Sequence, residues 1–272
     1  MNIFNLSFGK DSMATLILAA EQGIPIDRVM YCEIKFNDEI SGEHPLMAEW
    51  IPEAERILKE QFEITVEHVF SRTYLDWFYK PYVRGQHKGK IHGFPKVRGS
   101  WCNRELKINA IRKYRKQFKG VKEVQFIGIA IDEQYRFDRM KKQETKNRKF
   151  SSLLIEQNFT EQDAFSICEK YGLLSPVYHE LGGFRGGCWF CPKQCYADLY
   201  SLWKNYPEYF EFLKTLEKDS VHSFKPALNI SDFAKRFENG YVPVHRKKRD
   251  NYVQTSIFDL LVQLDLFHDN KS

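Results

Sequence analysis

Met1-Asn2-Ile3-Phe4-Asn5-Leu6-Ser7-Phe8-Gly9-Lys10-Asp11-Ser12 opens the chain and decides its fold class. Met1 to Leu6 reads as a short first strand. Met13 to Gln22 is rich in Ala and Leu, and Gly23-Ile24-Pro25 stops it as a helix is stopped. A strand that turns directly into a helix presents unpaired backbone N–H groups and the positive end of the helix dipole, which suits phosphate. Gly9 lets the backbone approach an anion closely. Lys10 adds positive charge, and Ser7 and Ser12 add hydroxyl donors. Asp11 repels phosphate unless a metal bridges the two, which points to Mg²⁺ between Asp11 and a pyrophosphate. The spacing is not that of the Gly-x4-Gly-Lys-Ser/Thr loop. The plain alternative is a turn whose Ser and Asp cap a helix.

Further strands are expected at Arg28 to Ile34, Ile64 to Val69 and Val124 to Ile131, with a helix from Pro45 to Gln61. Strands alternating with helices predict an α/β fold with a doubly wound, mainly parallel sheet. Thr160-Glu161-Gln162-Asp163 reads as a capping box with Asp in place of Glu, opening a helix that Gly172 closes. The composition changes near residue 182, so residues 1–181 are expected to form a nucleotide-binding domain and 182–272 a small helical region containing cysteines. Leu199 to Lys218 is expected as one amphipathic helix and Ser256 to Phe267 as another. Tyr79 to Ser100 lacks periodicity and reads as a long loop.

The 272 residues are 43% hydrophobic and 15% aromatic, enough for a substantial core. No apolar run approaches the ~18 residues of a membrane span, and no secretory leader pattern opens the chain. A cytoplasmic location without membrane contact is therefore expected. Forty-one basic residues face 36 acidic ones, a net charge of +5. That excess permits an anionic partner without demanding nucleic acid.

Three of the six cysteines crowd into Cys188-x2-Cys191-x3-Cys195, flanked by Gly182, Gly183, Gly186 and Gly187. In a reducing compartment such crowding indicates metal binding or catalysis before disulfides, against the alternative of buried, unligated thiols. Cys32 and Cys168 read as core residues, and His179 as a surface residue that could stand in as a ligand. Basic residues interleave with Trp77, Phe78, Tyr79, Tyr82 and Phe94 between residues 77 and 96, a pattern that suits DNA or RNA. Arg136 to Lys149 is also basic but reads as a solvated face, and Arg246-Lys247-Lys248-Arg249 fits either.

The opening loop resembles the Ser-Gly-Gly-Lys-Asp-Ser signature of the PP-loop ATP pyrophosphatases, with Phe8 in place of the first Gly. Gly93-Phe94-Pro95, Trp101-Cys102-Asn103-Arg104-Glu105-Leu106-Lys107, Gly128-Ile129-Ala130-Ile131-Asp132-Glu133-Gln134-Tyr135-Arg136 and Gly186-Gly187-Cys188-Trp189-Phe190-Cys191-Pro192 resemble, in order, motifs of the phosphoadenosine phosphosulfate reductase-like family. Ala130 and Gln134 depart from that pattern. The resemblance implies an adenine nucleotide, ATP with Mg²⁺, held by Ser7, Phe8, Gly9, Lys10, Asp11, Ser12 and Gly128. It implies catalysis at the α-phosphate, with Lys10, Asp11, Lys107 and Arg136 as catalytic residues; in isolation Lys107 and Arg136 would read as solvated charges. It also implies that Cys102 joins Cys188, Cys191 and Cys195 around a [4Fe-4S] cluster, with zinc as the alternative. A true reductase needs a further nucleophilic cysteine, and none follows Cys195. The resemblance then points to sulfur transfer onto an adenylated acceptor, as in relatives that thiolate nucleic acid, with a cysteine desulfurase as sulfur donor. A nucleotide α-hydrolase, a sulfonucleotide reductase and a zinc-knuckle nucleic-acid-binding module are the other readings.

Overall fold

In the computed structural model, residues 1–96, 100–181, 186–226 and 228–244 are described. Five strands form one all-parallel sheet in the order β3-β2-β1-β4-β5. They are β1 (Asn2–Leu6), β2 (Arg28–Cys32), β3 (Glu67–Val69), β4 (Glu123–Ile127) and β5 (Arg148–Ser151). The order reverses between β1 and β4, which opens a crevice beyond the carboxyl ends of those two strands.

The pleat of β1 explains the layers. Phe4 and Leu6 point to one face and pack with α1 (Lys10–Glu21) and α2 (Pro45–Phe62). Ile3 points to the other and packs with Met30, Val69, Ala110 and Ile111. The last two belong to α4 (Asn109–Arg115), which follows α3 (Tyr74–Phe78) and a π-helical turn, Asn103–Ile108. Helices thus cover both faces, and the expected α/β architecture is the one found. β5 starts in the last two residues of the stretch expected to be a solvated basic face, beside α5 (Gln134–Lys141). Its Phe150 packs on Ile127, Ile129, Phe137 and Met140. β4 stops at Ile127, four residues before the expected end, because Gly128 turns the chain against α1.

After α6 (Leu153–Glu156) comes α7 (Glu161–Lys170), opened by the capping box expected at Thr160 and Asp163. Gly172, at φ 68°, follows it. Next are α8 (Val177–Glu180), α9 (Tyr196–Asn205), α10 (Pro207–Asp219) and α11 (Ile230–Glu238). The single helix expected from Leu199 to Lys218 is two, because Pro207 lacks the N–H that a continuous helix needs and sits instead at the start of α10. The C-terminal helices share an aromatic core with residues from before residue 181. Leu199, Phe210 and Phe233 pack with Phe36, Tyr74, Phe94 and Trp101. Among the described residues no helix is long and apolar enough to cross a membrane. The expected helix Ser256 to Phe267 and the basic run Arg246 to Arg249 lie outside the described residues.

Candidate nucleotide and thiol cleft

The crevice at the strand ends is a cleft of about 420 Å³. Small-molecule pockets run to roughly 300–1,000 Å³. Ser7, Gly9, Lys10, Asp11 and Ser12 line one side of it. Gly128, Glu133, Arg136 and Glu161 also line it, as do Lys107, Cys32, Cys102, Cys188 and Cys191.

The loop after β1 is held by its own hydroxyls. Ser12 Oγ donates to the Gly9 carbonyl at 2.9 Å and lies 3.0 Å from Ser7 Oγ, while the Ser7 amide donates to Ser12 Oγ at 3.1 Å. Gly9 caps α1 in extended conformation, and the Lys10 amide donates to the Tyr178 hydroxyl at 3.1 Å. Phe8 sits in the left-handed region at φ 55°, which explains why a Gly suits this position. Its ring leaves the cleft for the core, edge-on to Tyr31 at 4.8 Å. Phe8, expected among the nucleotide-binding residues, is therefore a core residue and is not part of the cleft lining.

Lys10 is 4% exposed and pairs with Asp11 at 2.7 Å and Glu161 at 3.5 Å. Burial raises the Asp11 carboxyl above its usual range, Lys10 opposes that by charge and hydrogen bond, and Glu161 and Glu133 push it up further. Asp11 and Glu161 thus share the Lys10 ammonium, two carboxylates on one buried cation. Arg136 pairs with Glu133, and both side chains are largely buried. Arg136 and Lys107, each readable as a solvated charge in isolation, thus belong to the cleft. The π-helical turn carries Asn103, Leu106 and Lys107 to the cleft while Glu105 is buried.

The thiol half lies between β2 and the Cys188 segment. Glu43 and Cys188 are directly opposed in an antiparallel bridge, which sets their side chains on one face. Tyr31 donates to Glu43 at 3.3 Å. Burial pushes the Cys188 thiol well above its usual range and Glu43 adds to this, while Lys107 works against it. Burial likewise lifts Cys102 to about 12, with Cys191 adding to it. Burial disfavours charge on Lys107, but Cys188, Glu43, Cys32 and Cys102 outweigh that and raise it above the ordinary lysine range. Thiols held this high stay protonated unless a cation displaces their protons.

Three of the four expected sulfur ligands, Cys102, Cys188 and Cys191, therefore meet in one cleft. Cys195 does not line it: it is exposed and caps α9, accepting from the Asp198 amide at 3.4 Å. Among the described residues, no three His, Cys, Asp or Glu side chains stand at metal-ligating spacing. Cys168 is buried under the Lys10 carbonyl, as a core residue should be. Cys32 ends β2 and packs, as expected, against the Ile3, Met30, Val69, Ala110 and Ile111 cluster, while also reaching the cleft wall; burial lifts its thiol to about 12. His179 is exposed beside Glu169.

Sequence reading missed Glu43, Glu133, Glu161 and Tyr74 as site residues. Glu133 stood inside a quoted motif and could have been named. Nothing near Tyr74 marks it, yet its hydroxyl is fully buried at the cleft and among the described residues has no hydrogen-bond partner. Its pKa rises well above the usual tyrosine value through burial and then through Cys102, Cys191 and Cys188, so these sulfurs are its electrostatic neighbours. Cys102, Cys188 and Cys191 supply the sulfur donors that a thiolate-held group needs, though not at metal-ligating spacing here, and such a group would give that hydroxyl an acceptor. Tyr74→Phe removes an unsatisfied hydroxyl and should leave the unloaded protein as stable as the parent or about 1 kcal/mol more stable. The same change should weaken retention of iron or zinc during competition with a chelator. Loss of stability in the metal-free protein would show that the hydroxyl has a protein partner.

No protein-family model, curated protein or solved structure matches the chain.

Proposed function

We propose that this chain is an adenine-nucleotide-dependent enzyme resembling the phosphoadenosine phosphosulfate reductase-like family, one that activates an acceptor by adenylation for sulfur transfer. The observation that carries this reading is the shared cleft. A strand–loop–helix anion site with Lys10 and Asp11 and a thiol cluster with Lys107 open into the same 420 Å³ space.

The chemistry needs both halves. An acceptor oxygen attacks the α-phosphorus of ATP, a new P–O bond forms, the Pα–O–Pβ bond breaks and pyrophosphate leaves. Backbone N–H groups at the start of α1 and the Lys10 ammonium stabilise the departing pyrophosphate charge. Asp11, with Glu133 and Glu161 beside it, would hold Mg²⁺ against the phosphates. Arg136 would face the same charge, and Lys107 would stabilise anionic sulfur on the thiol side. A sulfur nucleophile then displaces AMP. Cys102, Cys188 and Cys191 would hold a [4Fe-4S] cluster or zinc, which when bound supplies thiolate stabilisation and a place for sulfur. Sulfonucleotide reduction could draw on Cys32, but burial keeps its thiol protonated and works against attack.

Calorimetry with MgATP tests the nucleotide half. Lys10→Ala removes a buried charge-assisted contact of about 1.5–3 kcal/mol, so affinity should fall roughly 10- to 100-fold. Equal affinity in a folded Lys10→Ala protein would remove the reading.

A further inference from the structure

Between Asp76 and Glu105 the chain contains no acidic residue, while Lys80, Arg84, Lys88, Lys90, Lys96, Arg98 and Arg104 all lie there. The stretch expected as a plain long loop is a built flap over residues 79–96. Pro81 bridges Ile91 and Tyr82 bridges Lys88, and the Tyr82 amide donates to the Lys90 carbonyl at 2.8 Å. Gly85 and Gly89 make its turns at φ 80° and 82°. Behind them Tyr82 stacks on His92 at 4.0 Å, His92 packs on Trp77 at 5.1 Å, and the Lys80 ammonium caps Trp77 at 3.9 Å. The base of the flap is fixed by Tyr79 donating to Asp219 at 2.8 Å and the Phe94 amide donating to Ser220 at 3.0 Å.

The charge on this flap is uncompensated. Lys80, Arg84, Lys88, Lys90 and Lys96 are all exposed, and among the described residues none of them forms an ion pair. The acidic groups nearest the base are already engaged: Asp219 accepts from Tyr79, and Glu217 accepts from the Phe224 and Ile230 amides. The rings of Tyr79, Tyr82 and His87 are at least partly exposed among these cations. The flap also returns to the cleft, whose wall includes Pro95 and Ser100, and Lys193 adds a cation to that wall.

We infer that this flap docks single-stranded nucleic acid and leads it to the cleft, so that the acceptor of the proposed reaction is a nucleic-acid strand; as a statement about the acceptor it rests on the proposed function. Exposed cations attract phosphates, and partly open rings stack unpaired bases, which a duplex hides. A small-molecule acceptor would need neither.

The test uses the full chain and fluorescently labelled 20-nucleotide single strands, DNA and RNA, in a salt titration. The parent should bind one or both at low salt and lose affinity steeply as salt rises. Replacing exposed Arg84, Lys88 and Lys90 together by Gln should cut affinity roughly tenfold or more and flatten the log–log salt slope by roughly 2, at about 0.7 per lost phosphate contact. MgATP affinity and the thermal midpoint should not change, since none of the three lines the cleft. Unchanged oligonucleotide affinity in that variant overturns the inference, as does tighter binding to duplex than to single strand. Binding only to anionic lipid vesicles overturns it too. Because MgATP binding is read separately, failure of the flap and failure of the nucleotide reading remain distinguishable.

Discussion

Gly128→Ala is expected to destabilise the protein by about 1–3 kcal/mol or more and to abolish nucleotide binding at concentrations that saturate the parent. A Cβ at Gly128 would stand 2.3 Å from the Ser12 amide nitrogen, 2.4 Å from the Asp11 carbonyl carbon and 2.5 Å from Ser12 Cα. All three are backbone atoms at the start of α1, so no side-chain rotation relieves the clash. Either β4 or α1 must shift, and the Ser7–Ser12 loop shifts with it. Urea unfolding should show a lower midpoint at an unchanged slope. Gly187→Ala is the matched control: it also lines the cleft, but a Cβ there meets nothing within 4 Å. It should stay within about 0.5 kcal/mol of the parent. A Gly128→Ala protein of parental stability would show that β4 and α1 do not meet in this way.

Phe8→Ala is expected to cost about 3–5 kcal/mol, the range for removing a buried aromatic ring. Phe8 is 1% exposed, with Tyr31 at 4.8 Å and Trp50 at 6.2 Å, both edge-on. Its left-handed backbone costs about 1–2 kcal/mol for any side chain with a Cβ. Phe8→Gly loses the same ring but relieves that strain, against about 0.5–1 kcal/mol of extra unfolded-state entropy. The Gly variant should therefore be no less stable than the Ala variant, although it is smaller. If the Gly variant unfolds well before the Ala variant, the left-handed turn is wrong. The comparison also explains the departure of this chain from a Gly-Gly loop: the ring, packed on Tyr31 of β2 and Trp50 of α2, stabilises the fold by more than the strained backbone costs.

Some features were fixed within a few neighbouring residues. The strand–loop–helix of residues 1–21 follows from a short, largely apolar opening segment, a permissive Gly9 and an Ala/Leu-rich run ended by Gly23. The capping box at Thr160 and Asp163 needs only side chains three positions apart. Alternation of strands with helices made a parallel sheet the expected class, because parallel neighbours need helical crossovers.

Tertiary structure alone decided the membership of the cleft. Arg136 and Glu161 are far apart in the chain and line one cleft because β4 lies beside β1 and α7 packs on α1, and Lys107 reaches the same cleft from the π-helical turn before α4. Charge patterns that look solvated in one dimension become a site once the sheet order sets their loops together. The same packing places Cys32 at the cleft, leaves Cys195 exposed at the cap of α9, and buries the Tyr74 hydroxyl without a partner among the described residues. Spacing along the chain lists which thiols could meet. Which of them do depends on the direction each backbone segment takes into the common core, and long-range packing sets that direction.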